Sequence, residues 1–145
     1  MRNATRQPRT SMKQPSRRGR GQGLVEFALV LPILLLVIFG IIDFGRAVYA
    51  YNTIGNAART GGRVAIVSQT ASSIQAAAIN QAVALGTRPS DVTTTYSCGS
   101  SYAIGCIASV TVKYTFHPIT PVIGQIWQTI NMSSTTQLPI EHVGP

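Results

Sequence analysis

The apolar residues of this chain form one unbroken block followed by two periodic patterns. No residue from Phe27 to Ile42 is charged. As a helix, the block 24–42 is roughly 28 Å long at 1.5 Å per residue, which just spans a ~30 Å hydrocarbon core. Pro32 interrupts it, removing the bond to the carbonyl of Ala28 and predicting a bend there. Beyond the block, Phe44, Ala47, Val48, Tyr51, Ile54, Ala58, Gly61 and Ala65 recur at spacings of three and four, so they are expected to form one buried stripe. Asn52, Asn56, Arg59 and Arg63 fall largely off it. The pattern predicts one continuous helix from about Leu24 to Val67, roughly 65 Å long, apolar all round in its first half and amphipathic in its second. Gly40, Gly45, Gly55, Gly61 and Gly62 would each cost up to about 1 kcal/mol in a water-exposed helix. Their number in one helix points to close approach of another backbone.

A second, short helix follows. Ser72 or Ser73 is expected to cap it, Ile74, Ala77, Ala78, Ala82 and Leu85 to face inward, and Gly86 to end it. From Asp91 the period changes to two. Residues 92–97 are rich in Thr and Tyr, and in 107–116 Ala108, Val110, Val112 and Tyr114 alternate with Ile107, Ser109, Thr111 and Lys113. Residues 99–105 read as a loop, Pro118 and Pro121 as strand breakers, 122–130 as a short apolar helix and 131–138 as a third strand. The expected fold is α+β: a long N-terminal helix, a second short helix and a small antiparallel sheet of about three strands. Residues 1–21 are expected to be a basic, disordered leader. Residues 22–68 form the helix, with 24–42 in the membrane and 43–68 its amphipathic extension, and 69–145 form an exported head. That head is marginal for a core of its own and must pack on the helix extension.

Charge sharpens the topology. Arg2, Arg6, Arg9, Lys13, Arg17, Arg18 and Arg20 supply seven of the twelve basic residues, with no acid among them, while the chain beyond Gly21 has five bases against four acids. A basic tail beside an apolar helix is retained in the cytoplasm, so everything after Ile42 is expected outside. This reading needs no nucleic acid. Cys98 and Cys106 both fall in the exported part, where a disulfide persists. Closing that nine-residue loop is worth about 2.6 kcal/mol on the chain-entropy model. A metal site would need further ligands, and His117 and His142 stand at no metal-binding spacing.

Glu26 stands at the mouth of the apolar block. An ionised carboxylate costs about 2.5–3.5 kcal/mol at the centre of a membrane helix, so such residues are usually functional. Gly21, a small residue after the basic leader, offers a scissile site. Cleavage there would free the amino group of Gln22 one helical turn from Glu26, and the two charges could neutralise one another between stacked helices. The plain alternative is a glutamate that snorkels at the interface. Asp43 and Arg46, three apart, are placed to pair at the outer membrane face or to meet a partner. Arg59 and Arg63 share a face, where they either favour the negative end of the helix dipole or dock an acidic partner. Small residues at Val48-Tyr49-Ala50 leave open a conventional signal cleavage after Ala50, which would release a soluble binding head. No nucleophile–base pair, phosphate loop or metal spacing is present, so an enzyme, a cofactor and a small-molecule substrate are not expected.

The stretch Gly21-Gln22-Gly23-Leu24-Val25-Glu26-Phe27-Ala28-Leu29-Val30-Leu31-Pro32 resembles prepilin-type sequences, in which Gly, four residues, Glu and an aromatic precede an apolar helix. With Gly40-Ile41-Ile42-Asp43-Phe44-Gly45-Arg46 and Asn56-Ala57-Ala58-Arg59-Thr60-Gly61-Gly62-Arg63-Val64-Ala65, it is similar to the TadE-like pseudopilins of tight-adherence (Flp, type IV-like) pilus systems. The resemblance covers roughly residues 20–67. It implies a pilin-like fold, cleavage between Gly21 and Gln22 by a prepilin peptidase, and a role for Glu26 and Phe27 in recognition or assembly. It further implies a minor pilin or assembly component in a bacterial inner membrane, crossing the lipid bilayer once, with other pilins, pseudopilins and pilus assembly proteins as partners. The competing reading is a signal-anchored or secreted adhesin-like module with no pilus role.

Overall fold

A computed structural model describes residues 19–99, 102–120 and 128–143. Packing divides the chain at Leu35 into a first unit, Met1–Leu35, and a second, Leu36–Pro145. Helix α1, Gly19–Ala65, supplies the described part of the first unit and leads into the second, continuing through Pro32. It therefore takes in Gly19, Arg20 and Gly21, the last residues of the expected leader. Residues 1–18 lie outside the described ones.

In the second unit, α1 is followed by α2, Ala71–Gln81, and by strands β1, Val92–Tyr96, β2, Ile107–Phe116, and β3, Ile130–Pro139. The strands form one antiparallel sheet in the order β1-β2-β3. Strict alternation along β2 puts Ala108, Val110, Val112 and Phe116 on one buried face, and Thr111, Lys113 and Thr115 on the other. On that outer face the Thr111 and Thr135 hydroxyls meet at 2.8 Å across β2 and β3. Three details differ from expectation. The third strand begins at Ile130, so the predicted apolar helix does not reach that far, and residues 121–127 lie outside the described ones. The residue before α2 is Thr70, whose backbone is extended and whose side chain makes no cap bond, leaving Ser72 and Ser73 inside the first turn. Gly86, at φ 67°, ends a short 3-10 turn, Val83–Leu85, rather than α2 itself. The buried N–H of Ala82 has already closed α2 on the carbonyls of Ala78 and Ile79.

The core lies between α1, α2 and the inner face of the sheet: Ile54, Ala57, Ala58 and Ala65 from α1, Ile74 and Ala78 from α2 with Ala82 just beyond it, and Val92, Ala108, Val110, Val112 and Ile140 from the sheet side. Small residues on α1 make this layering possible. A Cβ placed on Gly61 would stand 3.1 Å from Val110 Cγ1 and 3.3 Å from the Ala78 Cβ, and one on Gly62 3.1 Å from Thr136 Cγ2. The close approach expected from the glycines is thus made to the protein's own sheet and second helix at these two positions. A Cβ on Gly40 or Gly45 would meet nothing among the described residues.

Two fastenings complete the head. Cys98 and Cys106 are bonded, with Cα atoms 5.8 Å apart, and the loop they close turns through Gly99 and Gly105 at φ 66° and 88°. The N–H groups of Glu141 and His142 both donate to the Ile66 carbonyl at 3.1 and 3.0 Å. They satisfy an acceptor that the end of a helix leaves open.

Candidate assembly site

The residues singled out at the amino end all lie on α1, and all are exposed. Gln22 and Glu26, four apart, share a helix face, with Phe27 beside them and 62 % exposed. Glu26 has no ion-pair partner among the described residues. The bond between Gly21 and Gln22 lies within helix rather than in an extended leader. From here to Ile42 the helix turns large apolar side chains outward on every side, including Leu24, Leu29, Ile33 and Ile41. The apolar window has a mean hydropathy of 2.9 and none of it is buried within the protein. A surface of this kind has no place in water without a cover.

Asp43, the first residue beyond the block 24–42, is built differently. It is 6 % exposed. Its carboxylate accepts from the Arg46 guanidinium at 3.0 Å, from the Ile119 N–H at 2.9 and 3.0 Å, from the Thr120 N–H at 2.8 Å and from the Thr120 hydroxyl at 2.6 Å. Arg46 in turn lies over the Phe116 ring, 5.2 Å from its centre. Burial pushes the Asp43 carboxyl up. The Thr120 hydroxyl, the two backbone N–H groups and Arg46 outweigh it, holding the group at about 2 against an ordinary 3.8. A charged acceptor and short distances mark these as strong bonds. The pairing of Asp43 with Arg46 is therefore part of a larger clamp that ties the segment after β2 to α1. Composition gave no sign of it, because half of the donors are main-chain groups and the Thr120 hydroxyl comes from a segment distant in sequence.

The helix extension presents a different face from the one expected. Asp43, Ala50, Ile54, Ala57, Ala58, Gly61 and Ala65 point inward, with Ala47 half-buried, while Phe44, Val48 and Tyr51 are exposed. At 100° per residue, Phe44, Val48 and Tyr51 lie on a line roughly 80° around the helix from Ile54, Ala58 and Gly61. Spacing of three and four holds along both lines, so the predicted stripe joined two different faces. Arg59 and Arg63 are exposed. His117 and His142 are exposed, His142 offering its backbone carbonyl to the Gln69 side chain.

Residues 21–63 match the model of the TadE-like protein family. The TadE-like segment thus covers the proposed scissile pair, Glu26, Phe27, Pro32, the exposed apolar block, Asp43, Arg46, Arg59 and Arg63, and stops two residues short of the end of α1. It meets the resemblance read from the residues over nearly the same stretch. The α2 helix, the sheet and the disulfide lie beyond the TadE-like match. Neither a curated protein nor a solved structure matches the chain.

Proposed function

We propose that this chain is a minor pseudopilin, a structural component of a tight-adherence (Flp-type) pilus assembly or secretion apparatus. A prepilin peptidase cuts it between Gly21 and Gln22. Residues 24–42 hold it in the bacterial inner membrane, with the amino end cytoplasmic and the disulfide-bonded head outside. Glu26, at the new amino end, steers the helix against those of neighbouring pilins, with the Gln22 ammonium of one subunit neutralising the carboxylate of the next. Pro32 bends the helix within the bilayer, and the exposed Arg59 and Arg63 offer a face to an acidic partner.

The observation that carries this reading is the TadE-like match over the same helix whose apolar block, 24–42, is nowhere buried within the protein. Signal cleavage after Ala50 is disfavoured by the packing. Ala50 is buried, and a cut there would remove Asp43 and Arg46 from the clamp that holds Ile119 and Thr120. Mass spectrometry of the membrane-associated protein tests the proposal directly. A mature chain beginning at Gln22 is expected. One beginning at Tyr51 would support a released head, and one retaining Met1 or Arg2 throughout, in cells bearing normal pili, would end the pseudopilin reading. Glu26→Ala is expected to leave cleavage detectable and abolish pilus-dependent surface attachment.

A further inference from the structure

Beyond α1, residues 66–145 carry one arginine, one lysine and two acids: Arg88, Lys113, Asp91 and Glu141. Arg88, Lys113 and Asp91 all line a single cavity of about 370 Å³, together with His117, Ser90 and Thr115. Neither Arg88 nor Lys113 has an ion-pair partner among the described residues. One wall of the cavity exists because the two strands are unequal. β1 begins at Val92, opposite Val112, so β2 runs on through 113–116 without a β1 neighbour. The other wall is the turn 86–91, which Gly86 starts at φ 67°.

That turn is held by its own bonds. The buried Thr87 hydroxyl donates to the Ala82 carbonyl at 3.2 Å, and the Gln75 side-chain amide to the Pro89 carbonyl at 3.2 Å. The Arg88 N–H donates to Asp91 Oδ2 at 2.8 Å, and the Asp91 N–H returns to the Arg88 carbonyl at 3.0 Å. A wall fixed in advance spares a ligand the cost of ordering it. The lining also limits what that ligand can be. Two unpaired cations against one carboxylate favour an anion, and a planar guanidinium suits a carboxylate held by two bonds. Asp91 Oδ1 has no hydrogen-bond partner among the described residues and can only accept. A phosphate, with two charges and no donor to spare, would meet that oxygen badly. A single carboxylate carried on a ring of hydroxyls would satisfy it, and would also match the hydroxyls of Ser90, Tyr114 and Thr115. An acidic peptide would find little apolar company, since Leu85 is the one aliphatic side chain of any size in the lining.

We infer that the cavity between the turn 86–91 and the end of β2 binds a sugar carboxylate, a uronic acid, free or as a unit of an acidic polysaccharide. Arg88 and Lys113 take the carboxylate. Asp91 accepts from a ring hydroxyl, and Ser90 and Thr115 exchange bonds with the others. The size fits, since small-ligand sites run from about 300 to 1,000 Å³ and this one lies near the lower bound. The site lies wholly within the second unit and beyond the TadE-like match. It therefore does not depend on cleavage at Gly21 or on a pilus.

The test titrates the full chain, in detergent micelles, with D-galacturonate, its linear tetramer, D-galactose, inorganic phosphate and a tetra-aspartate peptide, following backbone amide NMR shifts. Galacturonate at millimolar concentrations is expected to move the amides of Gly86, Arg88, Ser90, Lys113 and Thr115, and galactose to move none of them. Arg88→Gln and Lys113→Gln should each weaken galacturonate binding about tenfold, with the Val110 and Val112 amides unshifted as the sign of an intact core. Asp91→Asn keeps a side-chain oxygen for the Arg88 N–H but removes the charge, so phosphate should gain on galacturonate by about fivefold. Glu26→Ala should change nothing. Tetramer binding tighter than monomer would support the polysaccharide source, and monomer binding alone the free acid; either sustains the site. The inference is overturned if galacturonate moves no amide of the cavity, or if the two glutamine variants bind it as the parent does. Phosphate binding to the parent as tightly as galacturonate would overturn it in favour of a general anion site. Tighter binding of tetra-aspartate would do so in favour of an acidic peptide.

Discussion

The two halves of α1 are both rich in apolar residues and use them in opposite ways. Through 24–42 the side chains are large, mostly Leu, Ile, Val and Phe, and they face outward around the whole helix. From Asp43 to Ala65 the inward line is Ala, Gly and a single Ile, and it is buried against the sheet and α2. Bulk serves where the neighbour is fluid or is another chain. Smallness serves where a rigid sheet must come close. The change falls at Asp43, where a carboxylate with five bonds from three residues anchors the packed half.

Substitutions matched across this boundary should separate the two regimes. Ile54→Ala leaves a cavity in the core and is expected to destabilise the head by about 3 kcal/mol in denaturant unfolding in micelles. Ile38→Ala, in the exposed half, should leave the same transition within about 0.5 kcal/mol of the parent. Equal losses at both positions would erase the distinction. Gly61→Val drives new atoms into Val110 and Ala78, with an expected cost of about 2 kcal/mol, whereas Gly40→Val meets open space and should cost the head nothing measurable.

Asp43 gives the comparison a pH signature. Its folded pKa, about 2, lies below the ordinary 3.8. The stability it contributes is therefore fully present above about pH 4 and is lost as pH falls towards 2. Asp43→Asn should destabilise the head near neutrality by about 1–2 kcal/mol and flatten the decline between pH 4 and 2. An unchanged acid limb in the variant would show that the clamp contributes nothing. The smallest effect is expected at Tyr96, whose hydroxyl is buried without a partner among the described residues. Tyr96→Phe removes an unsatisfied group and should leave stability unchanged or raise it by under about 1 kcal/mol.

Much of this molecule can be read from residue order. Alternation in 107–116 marks β2 and its buried face correctly, and Cys98 and Cys106 flank the turn between paired strands as their spacing suggests. The long helix is equally plain, because an uncharged apolar run from Phe27 to Ile42 leaves little else to form. The face of its extension is harder, since a period of 3.6 lets two neighbouring lines of residues share the same spacings. Phe44, Val48 and Tyr51 are bulkier than Ala47 and Ala50, yet the alanines are the less exposed, on the line that continues into Ile54 and Ala58. The cap of α2 misleads for a related reason: Ser72 and Ser73 are suitable capping residues, but the turn leaving α1 puts the extended backbone at Thr70. The clamp at Asp43 depends on main-chain donors from a segment 76 and 77 positions away, which no local pattern encodes.

On the proposed topology, Asp43 also decides how the head bears tension. A pull that draws the head away from the bilayer passes between α1 and the sheet through the packed core and, at the far end of β2, through one carboxylate. Its bonds to Ile119 and Thr120 converge on two oxygen atoms, so they share the load and give way together. A strand stripped from its neighbour would instead lose its bonds in sequence. A filament hauled on from outside would find this junction a firm rivet, and the first to fail if the surroundings turned strongly acidic.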